Sequence, residues 1–207
     1  MSRGLLEVLE EARSFGFLGP GPVRDHLDHA SGFARAALSG VGAPPPEFAD
    51  LGSGGGVPAL VLLAEWSETQ AVLVESLGRR ARFLEEALHT LGWADRVRVL
   101  PERAEVVARD PGWREHFMLV TARGFGPPAV TAEIAAGLVA PGGVLVVSEP
   151  PEVNDRRWPV PGLELLGFGP AERTVFTGAH FVRIPKNGPV PEDRPRPTGR
   201  PGKRPLW

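Results

Sequence analysis

Nine residues, Asp50-Leu51-Gly52-Ser53-Gly54-Gly55-Gly56-Val57-Pro58, limit what this chain can fold into more than any other stretch. They follow a short strand-like run, Glu47 to Asp50, and precede a helical pattern from Pro58 to Trp66. A turn this rich in glycine, set between a strand and a helix, admits left-handed backbone angles and lets a ligand come within contact distance of the main chain. Its natural setting is an open α/β sheet whose ligand lies at the carboxyl ends of the strands.

The rest of the chain has the alternation such a sheet needs. Ahead of the loop, apolar residues at helical spacing predict helices over Leu5 to Phe15 and Val23 to Leu38, broken by Gly16 to Pro22, with Gly40 to Pro46 as a turn-rich lead into the sheet. After it, strands are predicted at Ala71 to Glu75, Val97 to Leu100, Phe117 to Thr121 and Val144 to Ser148. Helices at Arg79 to Leu91, Ala104 to Arg109 and Val130 to Val139 separate them, with Gly92 stopping the first and Pro141-Gly142-Gly143 turning into the last strand. Two closing strands, Leu163 to Gly169 and Ala179 to Ile184, are expected to form a hairpin-like pair. The predicted class is α/β: a Rossmann-like, mainly parallel, doubly wound sheet. N-terminal helices (1–40) precede the sheet core (47–185), and a tail (186–207) follows.

Composition narrows the function. A chain of 207 residues with 42% hydrophobic content suits one domain with a core on both faces of a sheet. No apolar run approaches the roughly 18 residues of a membrane span, and the first residues bring glutamates rather than a basic leader. A cytoplasmic monomer without a membrane partner is expected. The absence of cysteine excludes disulfides, a thiolate nucleophile and cysteine-held zinc or iron–sulfur centres. His26 and His29, with Asp25 and Asp28, share a helix face at metal-like spacing, but the other histidines are scattered and no metal is expected.

The net charge of −2 conceals a basic end: from Lys186 to Trp207 six cations face two carboxylates, so the tail carries +4 and the remainder −6. Arg194, Arg196, Arg200, Lys203 and Arg204 make it a candidate phosphate-binding arm held extended by its prolines, against the competing reading of a disordered proline-rich end.

A carboxylate at Asp50 followed by glycines at 52, 54 and 56 reads acidic-x-Gly-x-Gly-x-Gly. A dinucleotide fingerprint would place a third small residue at the position of Val57 and does not usually begin with a carboxylate. The pattern suits S-adenosyl-L-methionine, whose amino-acid end brings a cationic amine and a sulfonium rather than a pyrophosphate. Glu75, with Ser76 beside it, closes the second strand at the same edge, where its carboxylate can accept both ribose hydroxyls. Ala104 and Glu105 follow the third strand, placed to line an adenine slot, although a glutamate opening a helix has a sufficient structural reason of its own. Arg123 can pair with the cofactor carboxylate or with an RNA phosphate, and Phe125 can stack on a base or fill the core.

These pieces together resemble the bacterial small-subunit ribosomal RNA guanine-N7 methyltransferases, the glucose-inhibited division protein B family. The resemblance runs over most of the chain: D-L-G-S-G-G-G-V-P from Asp50, E-S-L-G-R-R-A-R-F-L from Glu75, R-A-E from Arg103, T-A-R-G-F from Thr121, A-H-F-V-R-I-P-K from Ala179, and R-P-G-K-R-P-L from Arg200. It implies a seven-stranded methyltransferase sheet, an adenosylmethionine site lined by Gly52, Val57, Ala104, Glu105 and Arg123, and methyl transfer to guanine N7 in ribosomal RNA of the small subunit. It also favours a binding role for the tail. Two departures stand out: the family carries a longer N-terminal helical region, of which Val23 to His29 is a fragment, and a Lys-Gly pair where this chain reads Ser148-Glu149-Pro150-Pro151. A small-molecule methyltransferase on the same scaffold, or a catalytically silent cofactor-binding relative, are the other functions compatible with these residues.

Overall fold

The computed structural model describes residues 3–39, 42–152 and 154–207; Gly40 and Val41, the start of the expected turn-rich stretch, and Val153 lie outside the described residues. Two helices, α1 (Arg3–Ser14) and α2 (Val23–Leu38), come first. The alternating part runs β1 (Glu47–Leu51), α3 (Ala59–Glu65), β2 (Gln70–Val74), α4 (Gly78–Leu91), β3 (Val97–Leu100), α5 (Ala104–Val107), β4 (Phe117–Ala122), α6 (Pro128–Ala136) and β5 (Val139–Glu149). It closes with α7 (Val160–Glu164), β6 (Glu172–Phe176), β7 (Ala179–Pro185) and the short α8 (Arg200–Lys203). One seven-stranded sheet results, in the order β3-β2-β1-β4-β5-β7-β6. Its first five strands are parallel, and β7 pairs antiparallel with both β5 and β6.

Period-two alternation sorts the strand side chains into two cores. Phe48, Leu73, Leu119, Val146 and Phe181 face a layer built from α1 to α4. Their neighbours Ala49, Val72, Val74, Val120, Leu145 and Val182 face α5, α6, α7 and the chain end. Because both faces are covered, the strands read as nearly continuous apolar runs. The strand order reverses between β1 and β4, where Leu51 pairs with Ala122. At such a reversal the connections leave in opposite directions and a crevice opens beyond the strand ends. Among the described residues no helix is long and apolar enough to cross a membrane.

Two sequence expectations need correction. Leu163 to Gly169 is not a strand: Leu163 and Leu166 are fully buried at helical spacing over α7 and its exit, and Phe168 makes only an isolated bridge to Lys186. The strand that pairs with β7 is Glu172–Phe176, an edge strand of intermediate and exposed residues, joined by the turn Thr177-Gly178 with φ of +52° and +76°. Positive angles at both central residues mark the tight hairpin turn whose twist matches the strands. The edge strand escapes a reading of apolar pattern because it buries little, whereas the denser apolar run before it serves a helix. Likewise Pro141-Gly142-Gly143 is not a turn ahead of the fifth strand but a bulge inside it, with the register to β4 shifting between Phe117 and Leu119. A Cβ on Gly143 would stand 2.9–3.0 Å from three backbone carbonyl oxygens, so strand backbones pass there at a distance only glycine permits.

The tail also departs from the extended arm that its prolines suggest. It is fastened across α5 and α6: Arg114 Nη1 donates to the Arg194 carbonyl at 2.6 Å and Arg109 Nη1 to that of Pro195 at 2.7 Å. Glu133, fully buried on α6, accepts from Arg196 through its backbone N at 2.9 Å, Nε at 2.7 Å and Nη2 at 2.5 Å. Trp207 lies against Gly162, where an added Cβ would collide with its ring, and donates its indole N–H to the Arg157 carbonyl at 3.0 Å.

Candidate active site

The glycine loop begins where β1 ends. Gly52 N and Ser53 N both donate to the Val74 carbonyl, at 2.9 and 3.2 Å, tying the loop to the end of β2. Gly52 has φ of +67°, and a Cβ there would stand 2.9 Å from the Phe125 ring. Both backbone angle and close approach therefore require glycine. Gly56, at φ +91°, has a different constraint: its Cβ would collide with Leu60, so it serves the packing of the loop on α3.

Glu75 joins the loop to the turn after β2. Its Oε2 accepts from Gly54 N at 2.9 Å and its Oε1 from Leu77 N at 2.8 Å, with the residue only 4% exposed. An ionised carboxylate has about four acceptor sites, so both oxygens keep capacity for hydroxyl donors. Beneath the loop, Asp50 Oδ1 accepts from Thr121 Oγ1 at 2.6 Å, while its Oδ2 is buried without a partner. Burial, partly offset by Thr121, Ser53 and Arg123, pushes the Asp50 carboxyl up to about 6. A buried acceptor left open is costly unless a donor completes it.

Two lobes of one cleft, each of about 290 Å³, flank Gly52, Arg80 and Gly124. The first is walled by Glu75, Ser76, Leu77, Glu102, Ala104 and Phe125. The second is walled by Phe17, Leu18, Gly19, Gly54, Val57 and Arg123. Arg123 follows β4, and its Nη2 contacts His26 Nδ1 at 2.7 Å; burial holds its guanidinium below the ordinary arginine range.

Eight of the residues singled out in the sequence thus stand on the cleft: Gly52, Gly54, Val57, Glu75, Ser76, Ala104, Arg123 and Phe125. Phe125 stands over Gly52 in the first lobe, Asp50 and Gly56 lie beneath the loop, and Glu105 is turned away. Its Oε1 accepts from Gly199 N at 3.1 Å, so it fastens the tail rather than facing the slot. Arg196 is engaged with Glu133 and Arg194 with Asp193, whereas Arg200, Lys203 and Arg204 are exposed. Glu149 is buried and paired in a two-pronged contact with Arg157 at 2.8 and 3.0 Å, so its charge is satisfied internally. His26 and His29 are engaged separately: His26 bonds Arg123 and Gly19, and His29 packs between the rings of Phe33 and Phe181. Sequence reasoning missed Arg80, Leu77, Glu102 and the Phe17–Gly19 turn. Arg80 lies inside the distinctive run from Glu75, but nothing local signals that a turn between two N-terminal helices closes the second lobe.

The donor set fits S-adenosyl-L-methionine. Glu75 offers acceptors at the strand edge, Arg123 a cation, and the glycines clear backbone between them, over the buried Asp50 carboxylate.

Comparison with known proteins agrees with this reading. Residues 36–150 match the family model described as rRNA small subunit methyltransferase G. A ribosomal RNA small subunit methyltransferase G of Roseiflexus castenholzii is 36% identical over 178 residues, 83% of this chain and 75% of the relative. One from Chloroflexus aggregans is 35% identical over 168 residues, 78% and 70% of the two chains. In fold, the chain resembles the O-methyltransferase TomG of Streptomyces achromogenes, solved with S-adenosylmethionine, at a TM-score of 0.59 and 18% identity over 91% of each chain. With the glycine loop at the strand reversal and relatives matched over most of their length, the chain belongs to the rRNA small subunit methyltransferase G family of S-adenosylmethionine-dependent methyltransferases.

Proposed function

We propose that the chain transfers a methyl group to N7 of a guanine in small-subunit ribosomal RNA, acting as a monomer in the cytoplasm. The observation that carries this beyond family membership is the guanidinium of Arg80, which walls both lobes beside the glycine loop. An enclosed apolar pocket would suit a small neutral substrate; a cleft that keeps a guanidinium beyond the one that takes the donor's carboxylate suits a polyanion whose base is held beside its phosphates.

When bound, the cofactor supplies an electrophilic methyl on a sulfonium. Guanine N7 has an in-plane lone pair and no proton, so no side chain has to act as a base. Holding the base in line is the residues' main task, an effect worth up to about 7–11 kcal/mol when orientation is good. In this reading Glu75 takes the ribose hydroxyls, Ala104 and Ser76 line the adenosine lobe, and Gly52, Gly54, Gly56 and Val57 shape the loop beneath the donor. Phe125 and Arg123 position the reacting groups. Exposed Arg200, Lys203 and Arg204 on and after α8 add phosphate contacts.

The test is direct. Purified chain is incubated with labelled donor and small subunits that lack the modification, and nucleoside digests are read by mass spectrometry. Label in 7-methylguanosine is the expected result; label at another atom, or transfer only to free small molecules, refutes the proposal.

A further inference from the structure

We propose that His26 is a positioning residue for the methyl donor: it holds the Arg123 guanidinium in the second lobe, where that guanidinium takes the carboxylate of the donor's methionyl end. The inference rests on the reading that this cleft binds S-adenosyl-L-methionine, and it adds an element that no glycine-loop motif includes, since His26 comes from α2, ahead of the sheet.

Hydrogen-bond logic fixes the state of the ring. His26 Nε2 lies 3.1 Å from the Gly19 carbonyl oxygen, which can only accept, so Nε2 carries the hydrogen. Nδ1 lies 2.7 Å from Arg123 Nη2, which can only donate, so Nδ1 is bare. Only the neutral ring with hydrogen on Nε2 satisfies both contacts. The residue is 4% exposed, and Gly19 and Arg123 both wall the second lobe, so one imidazole braces two sides of the same cavity.

Arg123 is left with free capacity. Among the described residues no carboxylate forms an ion pair with it, and its contact with His26 uses one of the N–H groups of a guanidinium that has five. Asp50 attracts it from below without a hydrogen bond. A partly buried cation beside a glycine loop, with its direction set by a neutral acceptor, is arranged to receive a planar anion through two parallel N–H groups.

Acid should undo the arrangement. The charged and titratable groups around His26 are Arg123 from the end of β4, Asp25 beside it on α2, and His29 one turn further. Burial first and Arg123 second hold its pKa below the ordinary histidine value, against a smaller upward pull from Gly19 and Asp25. Once protonated, the ring presents two donors and a like charge to the guanidinium, and Arg123 must leave.

The experiment uses the full chain and calorimetry with two probes: S-adenosylhomocysteine, and 5′-methylthioadenosine, which has the same adenosine and thioether but no amino-acid end. In His26→Ala the affinity for S-adenosylhomocysteine should fall roughly tenfold or more, the scale of one charged hydrogen bond, while that for methylthioadenosine stays put. His26→Asn, which keeps an acceptor near the position of Nδ1, should restore most of the loss. The wild-type affinity for S-adenosylhomocysteine should weaken as pH falls below the ordinary histidine range, and that of His26→Asn should not. Equal weakening of both probes, no weakening of either, or failure of asparagine to restore binding overturns the inference. So does a loss confined to RNA binding, which would assign Arg123 to a phosphate. If His26→Ala does not fold, the asparagine variant and the wild-type pH series decide the matter in the same way. A wild-type chain that binds neither probe refutes the donor reading of the cleft and this inference with it, an outcome distinct from all the others.

Discussion

Replacing Arg196 by alanine tests how the tail is held. Glu133 is 0% exposed and accepts three N–H groups, two of them from the Arg196 guanidinium at 2.7 and 2.5 Å. Removing that guanidinium leaves a carboxylate inside the α6 layer with a single backbone donor. Breaking a buried pair from one side costs about 3–5 kcal/mol, because the stranded charge is without its counterion and cannot reach water. The Arg196 side chain is 21% exposed, so some water can enter the vacated space, and the lower end, about 3 kcal/mol, is the working figure. Urea unfolding at neutral pH measures it as a fall in midpoint with the slope unchanged. Adding Glu133→Gln to the same variant should recover a good part of the loss, since a neutral amide is far cheaper to strand. Limited tryptic cleavage after Lys203 should become faster in the single variant and slow again in the double. A loss under about 1 kcal/mol, or a double variant no better than the single, would refute the reasoning: the tail would then be a detachable strap whose ion pair is screened by solvent.

Three further predictions concern the cleft and its charges. Asp50 has its carboxyl raised from 3.8 to about 6, so the folded state binds a proton more tightly than the unfolded one, and stability should fall as pH rises from about 4 to about 6. The gap corresponds to about 3 kcal/mol, and thermal melts across that range should show a dependence that Asp50→Asn flattens; a rise in stability instead would contradict the burial argument. Gly52→Val combines a positive φ with a Cβ 2.9 Å from Phe125, so S-adenosylhomocysteine binding should be abolished while the circular dichroism spectrum is retained, and intact binding would show that the loop can re-form. Substituting alanine for Arg200, Lys203 and Arg204 should reduce the slope of log RNA affinity against log salt by about 0.7–0.9 for each phosphate no longer bound, and an unchanged slope would remove the tail from the RNA surface.

Much of this protein is legible without coordinates. The alternation of apolar runs with glycine stops places the first five strands and the helices between them, because local periodicity and turn chemistry are properties of neighbouring residues. The acidic-x-Gly-x-Gly-x-Gly loop and Glu75 point to the ligand and its edge of the sheet for the same reason: backbone freedom and a carboxylate at a strand end are written locally. The failures are equally physical. The edge strand at Glu172–Phe176 carries little apolar signal because solvent covers it, and the buried leucines before it resemble a strand although they pack as helix. Glu105 and Ala104 are adjacent in sequence, yet one faces the tail and the other the cleft, a choice made by the helix turn between them. Of the five tail cations, Arg196 meets a buried glutamate 63 residues earlier, which no composition reveals. His26 becomes part of the site only when α2 brings it 2.7 Å from a residue 97 positions later in the chain. Short-range pattern determines which segments become strands, helices and loops; which charges are consumed internally and which remain for a ligand depends on contacts between distant segments, and only packing brings those together.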